Sequence, residues 1–436
     1  MKKRDRRIAV GGLVAIALTT AAWGGSSKSS TAQASSASAS RGALEIAIFH
    51  TYSGANAAYG PEAAAGCFPA QKLINAAGGV LGQQLQCTPV DAKGDPADSV
   101  PAANRLIASS SSLVGVLGGG STDATAVVPL FQQAKIPIFS TTGQDSFDHS
   151  TASYFWRILA PDGAQGNAMA AGAKKLGYSK VATLFGNDAA AQGSAPTAIS
   201  GAKRLHLTLT ASQTLAIGQP SYRSEVQQLT AGNPQAIITE ADPQTSATYF
   251  AELSQLGRIP VLITDPVSQE PTWRTAVGGA IGKALLDKQD YAVVAYSPPT
   301  TLAYRTYTAA LVASSKQVPQ PAQWDADLYS VADYDSVVIM ALAMDAAHTT
   351  KPSVYNGFIT KVTSPSSGAV VVHTYAAGKA ALAKGQHIQY VGAVGPTVFD
   401  RWHNSGQGFA IERFANGKWT VTTLLTAAEI RAAAGG

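Results

Sequence analysis

Residues 44–107 constrain the fold more than any other stretch. Leu44-Glu45-Ile46-Ala47-Ile48-Phe49 is an apolar run of strand length. A turn-rich loop follows, Ser53-Gly54-Ala55-Asn56-Ala57-Ala58-Tyr59-Gly60-Pro61, then a small-residue helix to Ile74 and the turn Asn75-Ala76-Ala77-Gly78-Gly79-Val80-Leu81-Gly82. A second strand spans Gln84 to Val90, and Asp91-Ala92-Lys93-Gly94-Asp95-Pro96 leads into another helix to Ile107. Strands joined through a helix rather than a tight turn pair in parallel. This β–loop–α–turn–β–loop–α unit therefore specifies an α/β chain.

The pattern continues. Further strands are expected at Leu113–Leu117, Ile136–Ser140, Val181–Phe185, Leu205–Thr210, Ala236–Thr239, Val261–Thr264 and Tyr291–Ala295, with segments of helical spacing between them. In one such segment, Thr245 to Leu256, Tyr249, Leu253 and Leu256 share a face. Near-continuous apolar strands separated by helices argue for parallel sheets covered on both faces. The pattern runs twice, over residues 44–160 and 178–292, and 436 residues with 46% hydrophobic content supply two cores of ordinary size. A crossover is expected near Leu159-Ala160-Pro161-Asp162. The helical run Tyr334 to Ala347 could return to the first domain, which the sequence does not force.

The net charge of +5 is concentrated at the start, where Lys2, Lys3, Arg4, Arg6 and Arg7 oppose only Asp5. The rest of the chain is nearly neutral, so no basic surface for nucleic acid is implied. Residues 8–22 are an apolar run, short for a membrane span, and together with the basic start they read as a secretory signal. The Arg6-Arg7 pair leaves the twin-arginine route open beside the general one. Leu18-Thr19-Thr20-Ala21-Ala22-Trp23-Gly24-Gly25 resembles a bacterial lipobox with Trp23 where the lipid-bearing Cys belongs. This implies either a free secreted form or a Cys lost by a single base change. Residues 25–40 read as a Ser/Ala-rich tether, with a possible cleavage site at Ala32-Gln33-Ala34. In an oxidising compartment Cys67 and Cys87 are expected to form a disulfide, stabilising by about 3 kcal/mol through closure of a loop of about 20 residues. The seven histidines show no metal-ligand spacing. No metal or cofactor is expected.

In open α/β sheets ligands sit at the carboxyl ends of the strands. Gly118-Gly119-Gly120-Ser121-Thr122-Asp123 follows one strand and suits a carboxylate, since glycine backbone and hydroxyl groups can donate to it. Ser121 or Thr122 could equally be a helix cap. The lysine and spacing of a nucleotide loop are missing. Ser140-Thr141-Thr142-Gly143-Gln144 is a second cluster of small donors. Thr264-Asp265-Pro266 offers a carboxylate for a ligand ammonium, or a turn residue before proline. No nucleophile elbow, paired catalytic carboxylates or nucleophile–histidine pair stands out, so no enzyme is expected.

Several of these segments, in this order, resemble the branched-chain amino acid binding proteins, which are bilobed solute receptors of ABC importers. They are Ser53-Gly54 with Gly60, Ile74 through Gly82, Gly94-Asp95-Pro96, Val116-Leu117-Gly118 to Pro129, and Ile136-Pro137-Ile138-Phe139-Ser140. Tyr334-Asp335 and Gly392-Ala393-Val394-Gly395-Pro396-Thr397-Val398-Phe399-Asp400 complete the likeness, which spans residues 44–415. It implies two doubly wound Rossmann-like lobes joined by three crossovers, the type I periplasmic binding fold. Lobe one would comprise residues 41–160 and 293–405, and lobe two 161–292 and 406–436, behind a signal and tether over 1–40. Gly119, Gly120, Ser121 and Thr122, with Thr142, Gly143 and Gln144 beside them, would hold a ligand carboxylate. Tyr59 would line the cleft and Asp265 would pair with the ligand ammonium.

Two departures matter. The family usually places Tyr-Gly in a lobe-two loop that here reads Gly186-Asn187-Asp188-Ala189-Ala190-Ala191-Gln192-Gly193. Thr239-Glu240-Ala241-Asp242 is acidic where an aromatic is common, and Asp242 joins the candidate ligand residues. A wider cleft and added carboxylates favour an amine-bearing ligand over leucine. The resemblance thus implies an exported, monomeric binding protein for an amino acid or related amine or carboxylate, delivering it to a membrane permease. A sensory receptor of the same fold, acting through a separate signalling partner, is the alternative.

Overall fold

The computed structural model describes residues 42–53, 57, 59–257, 259–296, 300–405 and 408–435. The expected export signal, Trp23, the expected tether and the Gly54–Asn56 part of the first loop lie outside the described residues. Strands β1 (Leu44–His50), β2 (Leu85–Asp91), β3 (Leu113–Gly118), β4 (Ile138–Ser140) and β5 (Phe155–Arg157) form a parallel sheet in the order β2-β1-β3-β4-β5. In β1 the side-chain alternation places Ile46 and Ile48 in one core and Ala47 and Phe49 in the other, so helices cover both faces.

A second sheet contains β6 (Lys180–Gly186), β7 (Thr208–Leu215), β8 (Ala236–Glu240), β9 (Val261–Thr264) and β10 (Asp290–Ala295), all paired in parallel. The chain then builds a small sheet from β11 (Val370–Val372), β12 (Ile388–Gly392) and β13 (Gly395–Pro396). It returns to the second sheet with the antiparallel strands β14 (Phe409–Ala415) and β15 (Lys418–Leu425), giving the order β15-β14-β10-β9-β8-β6-β7. In β6, Val181 and Phe185 face one core while Ala182 and Leu184 face the other. The result is two doubly wound lobes, with the chain crossing between the sheets after Arg157, after Ala295 and before Phe409.

Sequence and structure differ in places with a physical cause. The expected strand Leu205–Thr210 begins only at Thr208, because Leu205 caps the preceding helix and His206 takes a left-handed conformation (φ 59°). Lys135 (φ 57°) does the same before β4, which starts at Ile138 rather than Ile136. The expected lobe boundary at 292/293 falls inside β10, so the chain leaves the second sheet only after Ala295. Strands β14 and β15 were not read from the sequence. Asn416-Gly417, both at positive φ and joining Ala415 to Lys418, is the hairpin signal that marks them.

The helix Leu328–Ala347 does return to the first lobe. It crosses the helix Tyr59–Ala76 at Gly66, where an added Cβ would lie 2.5 Å from the Ser330 carbonyl oxygen and 2.6 Å from the Tyr334 nitrogen. Only glycine permits that approach. Asp335, buried on the same helix, accepts from the Tyr390 hydroxyl (2.6 Å) and the Ala393 and Val394 amides (3.0 and 2.8 Å). That ties down the loop after β12. Cys67 and Cys87 form a disulfide between the helix Tyr59–Ala76 and β2, with Cα atoms 6.1 Å apart. No helix among the described residues is long and apolar enough to cross a membrane.

Candidate functional site

The carboxyl ends of β1, β3 and β4 in lobe one and of β6, β8, β9 and β10 in lobe two open onto one cavity of about 320 Å³. This is where the loops of a parallel sheet diverge and leave room for a ligand. Phe49, His50 and Thr51 come from β1 and its loop. The loop after β3 contributes Gly120, Ser121, Thr122 and Asp123, and the loop after β4 contributes Thr141, Thr142 and Gly143. Lobe two adds Asp188, Ala189, Ala190, Ser194, Glu240 and Asp265, with Glu270 at the head of the helix Pro271–Ile281. Leu159, Ala160, Ala295 and Phe409, from the crossovers, form part of the lining.

On lobe one the two donor loops are tied together. Ser140 Oγ donates to the Gly119 carbonyl (2.6 Å) and accepts from the Thr142 amide (3.0 Å). The hydroxyls of Ser121 and Thr142 lie 3.4 Å apart. Gln144 Nε2 donates to the Ser121 carbonyl at 2.5 Å. Gly119 and Gln144 therefore stand behind the lining and shape it, while Ser121, Thr122, Thr142, Gly143 and Gly120 reach the cavity. Gly119 holds φ at 73°, which lets the loop turn sharply at the strand end. Tyr59, 45% exposed, borders the cavity from the start of its helix.

On lobe two the expected Asp242 is not part of the lining. Its carboxylate accepts from the Gln244 and Thr245 amides (3.0 and 3.1 Å) as the N-cap of the helix Pro243–Gln255. The carboxylate that turns into the cavity is Glu240, the last residue of β8, and Asp265 follows β9 beside it. Asp265 also caps a short helical turn through the Val267 amide (3.2 Å), as expected of a turn residue before proline. Glu240 and Asp265 are 9% and 7% exposed, yet Glu240 Oε2 and Asp265 Oδ1 have no hydrogen-bond partner. Burial raises the pKa of both, and the charge of Asp265 raises Glu240 further.

The cavity holds more acids than the sequence indicated. Glu62, one turn into the Tyr59 helix, is pushed well up by burial and then by Asp327. Asp123 is pushed up to about 6 by burial, with the Gly120 amide opposing. Asp162, at the first crossover, is pushed up to about 7 by burial against the pull of Arg157. It is wedged between the lobes: its amide donates to the Gly143 carbonyl (2.8 Å), and an added Cβ at Gly193 would lie 2.7 Å from its carboxylate. His50 has an unpartnered, buried Nε2, and burial lowers its pKa to about 4, so its ring is neutral at physiological pH. Tyr329, absent from the sequence expectation, faces the cavity from the start of the helix Leu328–Ala347. It supplies an aromatic surface where Ala189 and Ala190 supply none. Among the described residues no three His, Cys, Asp or Glu side chains are placed to share a metal ion.

Arg157, fully buried on β5, braces the hinge. It donates to Asn404 Oδ1 (2.9 Å), the Gln144 carbonyl (2.8 Å) and Asp148 (2.5 Å). Its backbone pairs with His403 and Ser405, which brings two crossover segments together.

The chain matches the periplasmic binding protein family over residues 43–408. It belongs to that family. Among solved structures it is similar to the branched-chain amino acid transporter substrate binding protein LivJ of Streptococcus pneumoniae, in complex with isoleucine. That likeness has 18% identity and a TM-score of 0.68, over 88% of this chain and 99% of the other. The leucine binding protein LivK of Thermotoga maritima is similar at 17% identity and a TM-score of 0.69, over 88% and 99%. A solute binding protein of an ABC transporter from R. palustris, in complex with benzoate, is similar at 16% identity and a TM-score of 0.66, over 88% and 96%. No curated protein matches the chain by sequence. The periplasmic binding fold and the resemblance to branched-chain amino acid binding proteins agree with the sequence reading.

Proposed function

We propose that this chain is an exported solute-binding protein of an ABC importer, taking an amino acid or amino-acid-like small polar ligand between its lobes by hinge closure. The observation that carries this reading is the cavity itself. It lies at the strand ends of both sheets and is lined by carboxyl side chains on lobe two, two of them with an unpartnered buried oxygen, and by hydroxyl side chains and glycine backbone on lobe one. The similar structures include one complex with isoleucine and one with benzoate, which supports a small organic ligand.

In this reading Tyr59, Gly120, Ser121, Thr122, Thr142 and Gly143 contact the ligand from lobe one and Asp265 from lobe two. Lobe one spans residues 41–160 and about 296–405, and lobe two the remainder up to 436. The protein acts outside the cytoplasm as a monomer and hands its ligand to a membrane permease. A ligand that binds only the closed form raises the melting temperature by mass action. A thermal-shift screen of amino acids, amides, amines and small carboxylates tests this. If no compound shifts the transition, the proposal fails.

A further inference from the structure

The cleft carries more carboxyl groups than a single ammonium group requires. Among the described residues seven carboxyl side chains line it, and no lysine or arginine does. They do not converge as metal ligands would, since among the described residues no three are placed to share an ion. Four of them form two groups.

The first group is on lobe two. Thr239 of β8 pairs with Thr264 of β9, so Glu240 and Asp265 emerge side by side from neighbouring parallel strands, about 5 Å apart along the backbone. Each lines the cavity and keeps one buried carboxyl oxygen without a donor among the described residues. The second group is Glu62 of lobe one, with Glu270 reaching toward it from lobe two. The charges that act on Glu62 are those of Asp327, Asp333 and Glu270, whereas those acting on Glu240 are Asp265, Asp162 and Asp188. Glu62 enters from the lobe-one helix Tyr59–Ala76 and Glu240 and Asp265 from strand ends of lobe two, while the charge of Glu270 acts on both Glu62 and Asp265. Tyr329 stands where it feels Glu62 and Glu270 as well as Asp265 and Asp162, between the two.

A buried carboxylate oxygen without a donor costs free energy until a donor arrives. A neutral amino acid brings one ammonium and one carboxylate. Its ammonium can serve only one group, and its carboxylate at the Ser121–Thr142 face lies beside Asp123 with no cation in the lining to offset it. A second ammonium serves the other group, and the phenol rings of Tyr59 and Tyr329 are suited to the alkyl chain and cations between them.

We infer that the ligand carries two protonated nitrogens, as an alkyl diamine or a basic amino acid does, one seated on Glu240 and Asp265 and the other directed toward Glu62 and Glu270. This rests on the solute-binding reading of the same cleft.

Calorimetric titration of the intact protein with 1,4-diaminobutane, 1,5-diaminopentane, lysine, norleucine, leucine and calcium chloride tests it. Lysine or a diamine is expected to bind about tenfold or more tighter than norleucine, which has the lysine skeleton without the second nitrogen. Glu240→Gln and Glu62→Gln should each weaken that binding about tenfold or more while leaving the unfolding transition cooperative. Tighter binding of diamines than of lysine identifies a ligand without a carboxylate, and the reverse identifies a basic amino acid. Leucine or norleucine binding as tightly as the dications overturns the inference and leaves the solute-binding proposal standing. Calcium binding in place of the amines also overturns it. If none of these binds while another compound of the thermal-shift screen does, the inference falls and the solute-binding proposal stands.

Discussion

Glu240 and Asp265 stand next to each other at the ends of adjacent parallel strands, and both line the interlobe cavity with one buried carboxyl oxygen each left without a partner among the described residues. In the ligand-free fold this arrangement is destabilising. A carboxyl whose pKa is raised stays protonated in the fold but ionises in the unfolded chain, so stability is greatest below about pH 4 and falls as pH rises toward the folded value. Asp265→Asn keeps an acceptor for the Val267 amide and removes the charge. It is expected to stabilise the ligand-free protein on the order of 2 kcal/mol at neutral pH, with the gain vanishing near pH 4. Thermal melts of both proteins across this range check it, and a gain that is constant with pH refutes it.

Ligand binding should show the opposite trend. A cation favours the ionised form of the acids it meets, so binding the dication releases protons. Affinity is expected to rise about tenfold between pH 6 and pH 8, as Asp162 (about 7) and the higher Glu240–Asp265 pair ionise more readily. The groups facing Asp265 are Glu240, Glu270 and Asp162, all acidic, and His50 stays neutral throughout. Titrations in buffers of different ionisation enthalpy measure both affinity and proton release. An affinity flat or falling over this interval contradicts the charge assignment.

Arg157 holds the hinge through three polar partners while fully buried. Replacing it with Met leaves Asp148, Asn404 and the Gln144 carbonyl short of a donor. The expected loss is about 3–5 kcal/mol. Urea unfolding should show a lower midpoint at unchanged slope, and a loss below about 1 kcal/mol would mean that the network carries little of the hinge.

Gly66 sets the distance between the helix that carries Tyr59 and Glu62 and the one that carries Tyr329. Gly66→Ala forces these backbones apart and is expected to cost about 1–3 kcal/mol. It should also weaken ligand binding, because it moves two walls of the cleft at once. A variant that is destabilised but binds normally would show that the cleft is set elsewhere.

The disulfide joins Cys67 and Cys87 across a short loop between helix and strand. Replacing both with Ser is expected to cost about 3 kcal/mol. Because the bridge lies within lobe one and away from the cavity lining, ligand affinity at a temperature well below the transition should stay unchanged. Comparison of melts and titrations for the double variant measures both.

The sequence carried the strand–helix alternation in its hydrophobic periodicity, because parallel strands buried on both faces leave an unbroken apolar signature. It also marked Ser121, Thr142 and Asp265, because strand-end loops are where a parallel sheet exposes donors and acceptors. It was less informative where a choice depended on geometry. Glu240 and Asp242 lie two residues apart with the same chemistry, and only the start of the helix at Pro243 makes one a cap and turns the other inward. Asn416-Gly417 does carry a hairpin signal, but a short one beside β15, which is mostly exposed and has little apolar periodicity.

By itself, then, the sequence determined that two parallel α/β units would form, that Cys67 and Cys87 were available to each other, and which loops lie at strand ends. All of these follow from local periodicity and turn chemistry. Only the tertiary structure decided that Glu62, Asp162, Glu240 and Asp265 share one cavity. They reach it from a helix, a crossover and two strand ends far apart in the chain, and no local pattern records the closure that brings their charges together.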